Sequence, residues 1–121
     1  MGGGTGGTNL ANGADRFVAM MSGNVNASES VVQLDVPVAS TFSNLYVRLN
    51  ASPGASKTYT FVVRKNGVDT ALTCAISGAA TACSDTVNTV TFVVGDLISI
   101  RATPTSSPTA RSMQWSAVRS P

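Results

Sequence analysis

The sequence predicts an all-β domain, an eight-stranded jelly-roll-like sandwich behind a flexible Gly-rich N-terminal arm, and three observations carry that expectation. Apolar and polar residues alternate with period two in one segment after another, as they do in strands with one buried face. Turn-forming residues punctuate these segments at intervals of roughly eight to twelve residues. Helical spacing is sustained nowhere. The 121 residues suit one core, with 1–13 as the arm and 14–121 as the sandwich. A chain of this length buries roughly two-thirds of the surface its unfolded state exposes, so no staple is obligatory. With 43% apolar residues against 12% charged, disorder is not expected beyond the ends.

The opening run MGGGTGGTNLANG holds six Gly and almost no apolar side chains. It has little to offset its ordering entropy, which suits a disordered tail or an arm that orders only against a neighbouring subunit. The first strand is expected over 16–21 with Phe17, Ala19 and Met21 inward, and 24–29 is a loop. The second covers 31–38 with Val32, Leu34, Val36 and Val38 inward. The third, 41–49, buries Leu45, Val47 and Leu49 and turns Tyr46 and Arg48 outward, before Ser52, Pro53 and Gly54 force a turn.

The fourth strand, 57–65, buries Tyr59, Phe61 and Val63 and ends at Asn66 and Gly67, two residues tolerant of positive φ and the strongest hairpin signal in the chain. The fifth returns over 68–76, and 77–85 is a small-residue loop. The sixth, 86–94, points Val90, Phe92 and Val94 inward. Gly95 and Asp96 then turn the chain into the seventh, 97–103, with Ile98, Ile100 and Ala102 inward. After a loop at 104–111 with two prolines, the eighth strand, 112–118, buries Met113, Trp115 and Ala117. The longer loops suit crossings between two sheets better than an up-and-down barrel.

The residues offer little to catalysis. The chain has no His, which removes Ser-His-Asp triads, Cys-His pairs and His-containing zinc sites. The carboxylates Asp15, Glu29, Asp35, Asp69, Asp85 and Asp96 are dispersed and read as turn or surface groups; a glycosidase-type pair would have to assemble in space. Asp85, Asn88 and Asp96 lack the spacing of a calcium loop, and the Gly-rich start lacks the strand before it and the Lys-Ser/Thr after it that a phosphate loop needs. No catalytic group, metal or cofactor is therefore expected, and the domain reads as non-enzymatic. Eight Lys and Arg against six acids form no basic stripe, so nucleic acid is a poor partner. No stretch is long and apolar enough to span a membrane, and 1–13 lacks the charged and apolar regions of a signal peptide, so synthesis in the cytoplasm is expected.

Cys74 and Cys83 flank Gly78 and Ala79 symmetrically, where the fifth and sixth strands would face one another in a hairpin. A disulfide closing this loop of nine residues would contribute roughly 2.5 kcal/mol. Two reduced, buried thiols are the equal alternative. The aromatics Tyr59, Phe61, Phe92 and Trp115 fall on inward parity, which leaves Tyr46, beside Arg48, as the exposed ring. Asn26 and Asn50 are glycosylation acceptors only in a eukaryotic secretory setting.

From Ser43 to Ser116 the chain resembles a group of small proteins encoded by tailed phages and prophage-bearing bacteria. The likeness rests on an N-L-x-V-x-L strand, a T-Y-T-F-x-V-R-x-N-G-x-D-T-A-L-T hairpin and a G-D-x-I-S-I strand in that order, with Ser52, Pro53 and Gly54 at the intervening turn. The residues kept in the hairpin include Tyr59, Phe61, Arg64, Asn66, Gly67, Asp69 and Leu72, whereas the pair Cys74 and Cys83 departs from the pattern. The resemblance implies a jelly-roll-like sandwich found among virion structural genes, and decoration proteins of this size are usually trimeric.

The expectation is thus a capsid decoration (cement) protein on the virion exterior, a homotrimer bound to the major capsid protein. Its candidate contacts are Leu10, Asp15, Arg16 and Phe17 at the arm and Tyr46, Arg48 and Arg101 on outward strand positions. The alternative is a tail-fibre tip or carbohydrate-binding module that touches host glycans through the loops 24–29 and 104–111. A glycan lyase or hydrolase comes third and requires two carboxylates to converge in a cleft.

Overall fold

Two antiparallel sheets pack face to face in the computed structural model, which describes residues 2–121. The first sheet holds β1 (Gly2–Gly4), β11 (Met113–Ser120), β5 (Ser40–Leu49) and β8 (Ala82–Asp85) in that order, with β9 (Val90–Phe92) also on β5. The second holds β3 (Val25–Asn26), β2 (Arg16–Val18), β10 (Leu97–Thr105), β6 (Gly54–Lys65) and β7 (Val68–Gly78), with β4 (Leu34–Asp35) also on β10. One short helix, α1 (Glu29–Val32), interrupts the strands.

The pairing defines the winding. β1 pairs with β11, β2 with β10, β5 with β8 and β9, and β6 with β7. The chain is therefore one long antiparallel hairpin closed at Asn66 and Gly67. This hairpin is rolled up so that β11 also pairs with β5 and β10 with β6. That is a jelly roll, with both sheets' inner faces meeting in one core.

The core follows the alternation in the second half of the chain: Tyr59, Phe61, Val63, Ile98, Ile100, Ala102, Met113, Trp115 and Ala117 are all buried. Phe42 meets Phe92 edge-on at 5.4 Å, and Tyr59 stacks on Phe61 at 6.2 Å. Phe42 departs from the parity of Leu45, Val47 and Leu49 because Asn44, at φ 51°, inserts an extra residue opposite Ala117 and resets the phase of β5.

Four expectations are corrected. First, the glycine-rich start is not a free arm, and the boundary at 13/14 does not hold; Met1, its first residue, lies outside the described residues. Gly2–Gly4 is the outer strand of the first sheet, bonded to β11 on one side and to Met21 and Ser22 on the other. It lies so close to its neighbours that a Cβ on Gly2 would overlap the Trp115 carbonyl oxygen, and one on Gly3 that of Ala19. Thr5 and Leu10 are buried, and Leu10, at 1% exposure, belongs to the core.

Second, Phe17 and Met21 do not point inward. Val18 faces Ile100 in the register of β2 on β10, so Val18 and Met20 are buried, Phe17 lies on the outer face and Met21 is exposed. A one-residue change of register exchanges the two faces of a strand. Third, 31–38 is not one strand: only Leu34–Asp35 pairs, as β4, although Val32 and Val36 are buried as expected. Glu29 is drawn to Arg64 on the outer face of the second sheet, α1 forms there, and Leu34 and Val38 are left exposed. Fourth, a strand, β8, forms within the expected loop 77–85, whereas of the expected sixth strand, 86–94, only Val90–Phe92 pairs, as β9, and Val94 is exposed beyond it.

The two ends of the sandwich differ. At one end the Asn66 side chain joins the two tight turns: its Nδ2 donates to Asp96 Oδ1 at 2.9 Å and its Oδ1 accepts the Leu97 N–H at 2.9 Å. At the other, the Tyr59 hydroxyl lies 3.2 Å from the Ala11 carbonyl and 3.3 Å from that of Thr109, while Arg111 Nε donates to the Ser52 carbonyl at 2.8 Å. The loops at this second end are thereby tied to the core.

Candidate functional site

Five of the six carboxylates are engaged by neighbours. On the outer face of the second sheet the Arg64 guanidinium grips Glu29 through two nitrogens, at 3.0 and 3.1 Å, and reaches Asp69 at 2.6 Å. Asp69 in turn accepts from Arg101 at 2.7 Å, and Ser99 donates to Glu29 at 2.7 Å. Asp15 lies 3.9 Å from Arg101. Arg64 also lies over the Phe17 ring at 5.7 Å. The hydrogen bond from Arg64 holds the Glu29 carboxyl below its ordinary range despite partial burial. Burial by itself raises the pKa of Asp69, but Arg64 and Arg101 bring it down on balance. Both carboxylates are thus kept ionised, whereas a general acid needs its pKa raised. Among the described residues no group of three His, Cys, Asp or Glu is placed to hold a metal ion.

Asp85 bridges the two sheets. Its carboxylate accepts the N–H groups of Val87, Asn88 and Thr73 and the Asn88 amide, at 2.9 to 3.1 Å, so β8 of the first sheet is joined to the edge of β7 in the second. Burial opposes ionisation, yet these four donors prevail and hold the pKa down to about 2. A folded-state pKa depressed from 3.8 contributes stability in full above that value and loses it as the pH falls from about 4 to about 2. The loss amounts to at most roughly 2 kcal/mol. Urea melts of the wild type and Asp85→Asn across this window check the assignment. The wild type should lose more stability on acidification than the variant, and parallel curves would contradict it.

Cys74 and Cys83 form a disulfide with Cα atoms 5.8 Å apart. The expected hairpin between their strands does not exist, because β7 and β8 lie in different sheets. The bond crosses the sandwich wall where the chain passes from one sheet to the other at 79–81.

The candidate contact residues do not form one patch. Leu10 is in the core. Asp15, Arg16, Phe17 and Arg101 belong to the second sheet or its approach, where Arg16 donates to the Asp15 carbonyl and Arg101 is paired with Asp69. Tyr46 and Arg48 lie on the outer face of the opposite sheet, with the Arg48 guanidinium 6.0 Å from the Tyr46 ring centre.

Two surfaces stand out instead. At the end with the tight turns, Leu34, Val38, Val68, Val93 and Val94 are 37 to 68% exposed. They are neighbours: the Val36 N–H donates to the Asp96 carbonyl at 2.8 Å and Gly95 N–H to the Val36 carbonyl at 3.0 Å, which lays 34–38 against the 93–96 turn. Asn66 ties the hairpin turn beside Val68 to the same place. Single exposed valines are ordinary, and five aliphatic side chains brought to one end by these turns make a candidate contact surface. Period-two alternation places Leu34, Val38 and Val94 inward, which conceals the patch in the sequence.

The second surface is a shallow trough on the outer face of the first sheet, near the opposite end. One part, about 470 Å³, lies between the turn at Gly6 and Gly7 and the side chains of Arg48, Asn50 and Gln114. A second part, about 360 Å³, continues past Tyr46 and Ser116 and shares Gly3, Arg48 and Gln114 with the first.

The fold and its surfaces define the class: an all-β jelly-roll sandwich with most of its acids engaged by neighbours, an end with exposed aliphatic side chains and an open trough on the first sheet. Compared with protein-family models and with curated proteins, the chain matches none.

Proposed function

We propose that this chain is a structural protein of a phage-type virion, a capsid decoration (cement) protein that sits as a homotrimer on the shell of the major capsid protein. The carrying observation is the apolar end, where Leu34, Val38, Val68, Val93 and Val94 are all exposed. Burying such an end against assembled coat subunits, and not against free ones, stabilises the shell by linkage. Cyclic symmetry lets each copy present the same end to the same joint. The support is physical and comes from this surface together with the sequence resemblance.

Purified chain added to particles that lack it should bind and raise the temperature at which they release their contents. Val38→Lys with Val94→Lys should weaken that binding by roughly tenfold or more, since charges in a buried contact are costly. Equal heat release with and without the chain would end the cement reading. Light scattering of the isolated chain tests the trimer.

A further inference from the structure

We propose that the trough on the outer face of the first sheet binds an acidic saccharide, with Arg48 as the residue that recognises the sugar carboxylate. This inference does not rest on the capsid reading, and the trough lies toward the end of the sandwich opposite the apolar one.

Charge comes first. Arg64, Arg101 and Lys65 face acids, whereas no Asp or Glu lines either part of the trough. Among the described residues Arg48 lies by the Tyr46 ring and is in no ion pair, which leaves its planar donor fork free for a carboxylate. One cation suits a single carboxylate and not the phosphate backbone of a nucleic acid, which needs a track of them.

Layout points to a sugar. The register places Gly4, Gln114, Arg48 and Ala82 on one rung across the sheet and Gly2, Ser116, Tyr46 and Ser84 on the next. The first rung sets Arg48 beside Gln114, and the second sets Tyr46 alone between small residues. Rungs two residues apart are separated by roughly 7 Å, a spacing on the scale of one pyranose ring. The Tyr46 ring, 41% exposed, offers a face for sugar C–H groups. Gln114 and the Asn50 amide offer donors at hydroxyl positions, the Asn50 carbonyl being occupied by the Ser112 N–H. A peptide added as a further strand is disfavoured, because β1 is bonded to β11 on one side and to Met21 and Ser22 on the other.

The test is a titration of the full chain, followed by NMR shifts, with tri-galacturonate and sialyl-lactose as acidic probes and trigalactose and lactose as their neutral counterparts. At least one acidic probe should bind in the millimolar range or tighter, and its neutral counterpart at least about tenfold more weakly. Arg48→Gln should reduce the acidic affinity by about tenfold or more, and Gln114→Glu, which places a carboxylate beside Arg48, should do the same. Both positions are exposed, and unchanged dichroism and melting temperature will confirm that the variants fold. Binding should also weaken as salt is raised. Absence of binding by either acidic probe at about 10 mM, equal binding of the neutral sugars, or full affinity in both variants overturns the proposal.

Discussion

Removing residues 1–13 is expected to unfold much of the domain, and Leu10→Ala alone to cost about 3 kcal/mol of stability. Leu10 is 1% exposed and belongs to the same core as Phe61, Ile100 and Trp115. Its N–H donates to the Arg111 carbonyl at 2.7 Å, so the backbone around it is anchored and the cavity left by truncation cannot readily collapse. The deletion removes more. Thr5, which exchanges hydrogen bonds with the backbone of Met113 at 3.1 and 3.3 Å, would be lost, and β11 would become a bare edge once Gly2–Gly4 is gone. For a domain of this size, 3 kcal/mol corresponds to a fall of roughly 10–15 °C in Tm. Thermal and urea melts of the Leu10→Ala and deletion variants decide the matter. A deletion variant with the wild-type midpoint would mean that the segment is a tail after all and that the jelly roll lacks its first strand.

Loss of the disulfide should lower stability by about 2.5 kcal/mol, through a less constrained unfolded chain. The closed loop spans a sequence separation of 9, and its ends lie in different sheets, so the bond restrains the passage of the chain from β7 to β8. Both sulfurs pack against the core, and reduction therefore leaves two small apolar groups in place. Urea melts with and without reductant should separate for the wild type and coincide for the Cys74→Ala, Cys83→Ala double variant. A wild-type midpoint indifferent to reductant would show that the cross-link contributes nothing. Asp85 joins the same two strands, so the double variant should also become more sensitive to acid below about pH 4.

Apart from β8, which falls in the expected loop 77–85, the strands from β5 onward were legible because each buries one face and exposes the other, and because Asn66, Gly67, Gly95 and Asp96 supply turns with a mechanism. Three earlier elements were not. Gly2–Gly4 carries no side chains, so a strand made of it has no alternation to read; its place follows from hydrogen bonds to β11 and from space that admits no Cβ. β2 reads equally well with Phe17 or Val18 inward, and pairing of Val18 with Ile100 chooses. The segment around α1 alternates like a strand, but the ion pair of Glu29 with Arg64 holds it across the outside of the second sheet. The candidate site suffered from a related limit. Parity separates outward residues from inward ones, yet it does not say which sheet they decorate, so Tyr46 and Arg48 were grouped with Asp15 and Arg101 from the opposite face.

By itself, then, the sequence determined the fold class, the principal turns and most of the aromatic core, since burial of alternate residues is a local property of each strand. The tertiary structure alone decided that the glycine-rich start is the first strand of the roll, that Cys74 and Cys83 join two sheets, and that Leu34, Val38, Val68, Val93 and Val94 come to one end while Arg48 lines a trough near the other. Those features depend on which strands lie side by side, and strand neighbours far apart in the chain are chosen by the packing of the whole sandwich.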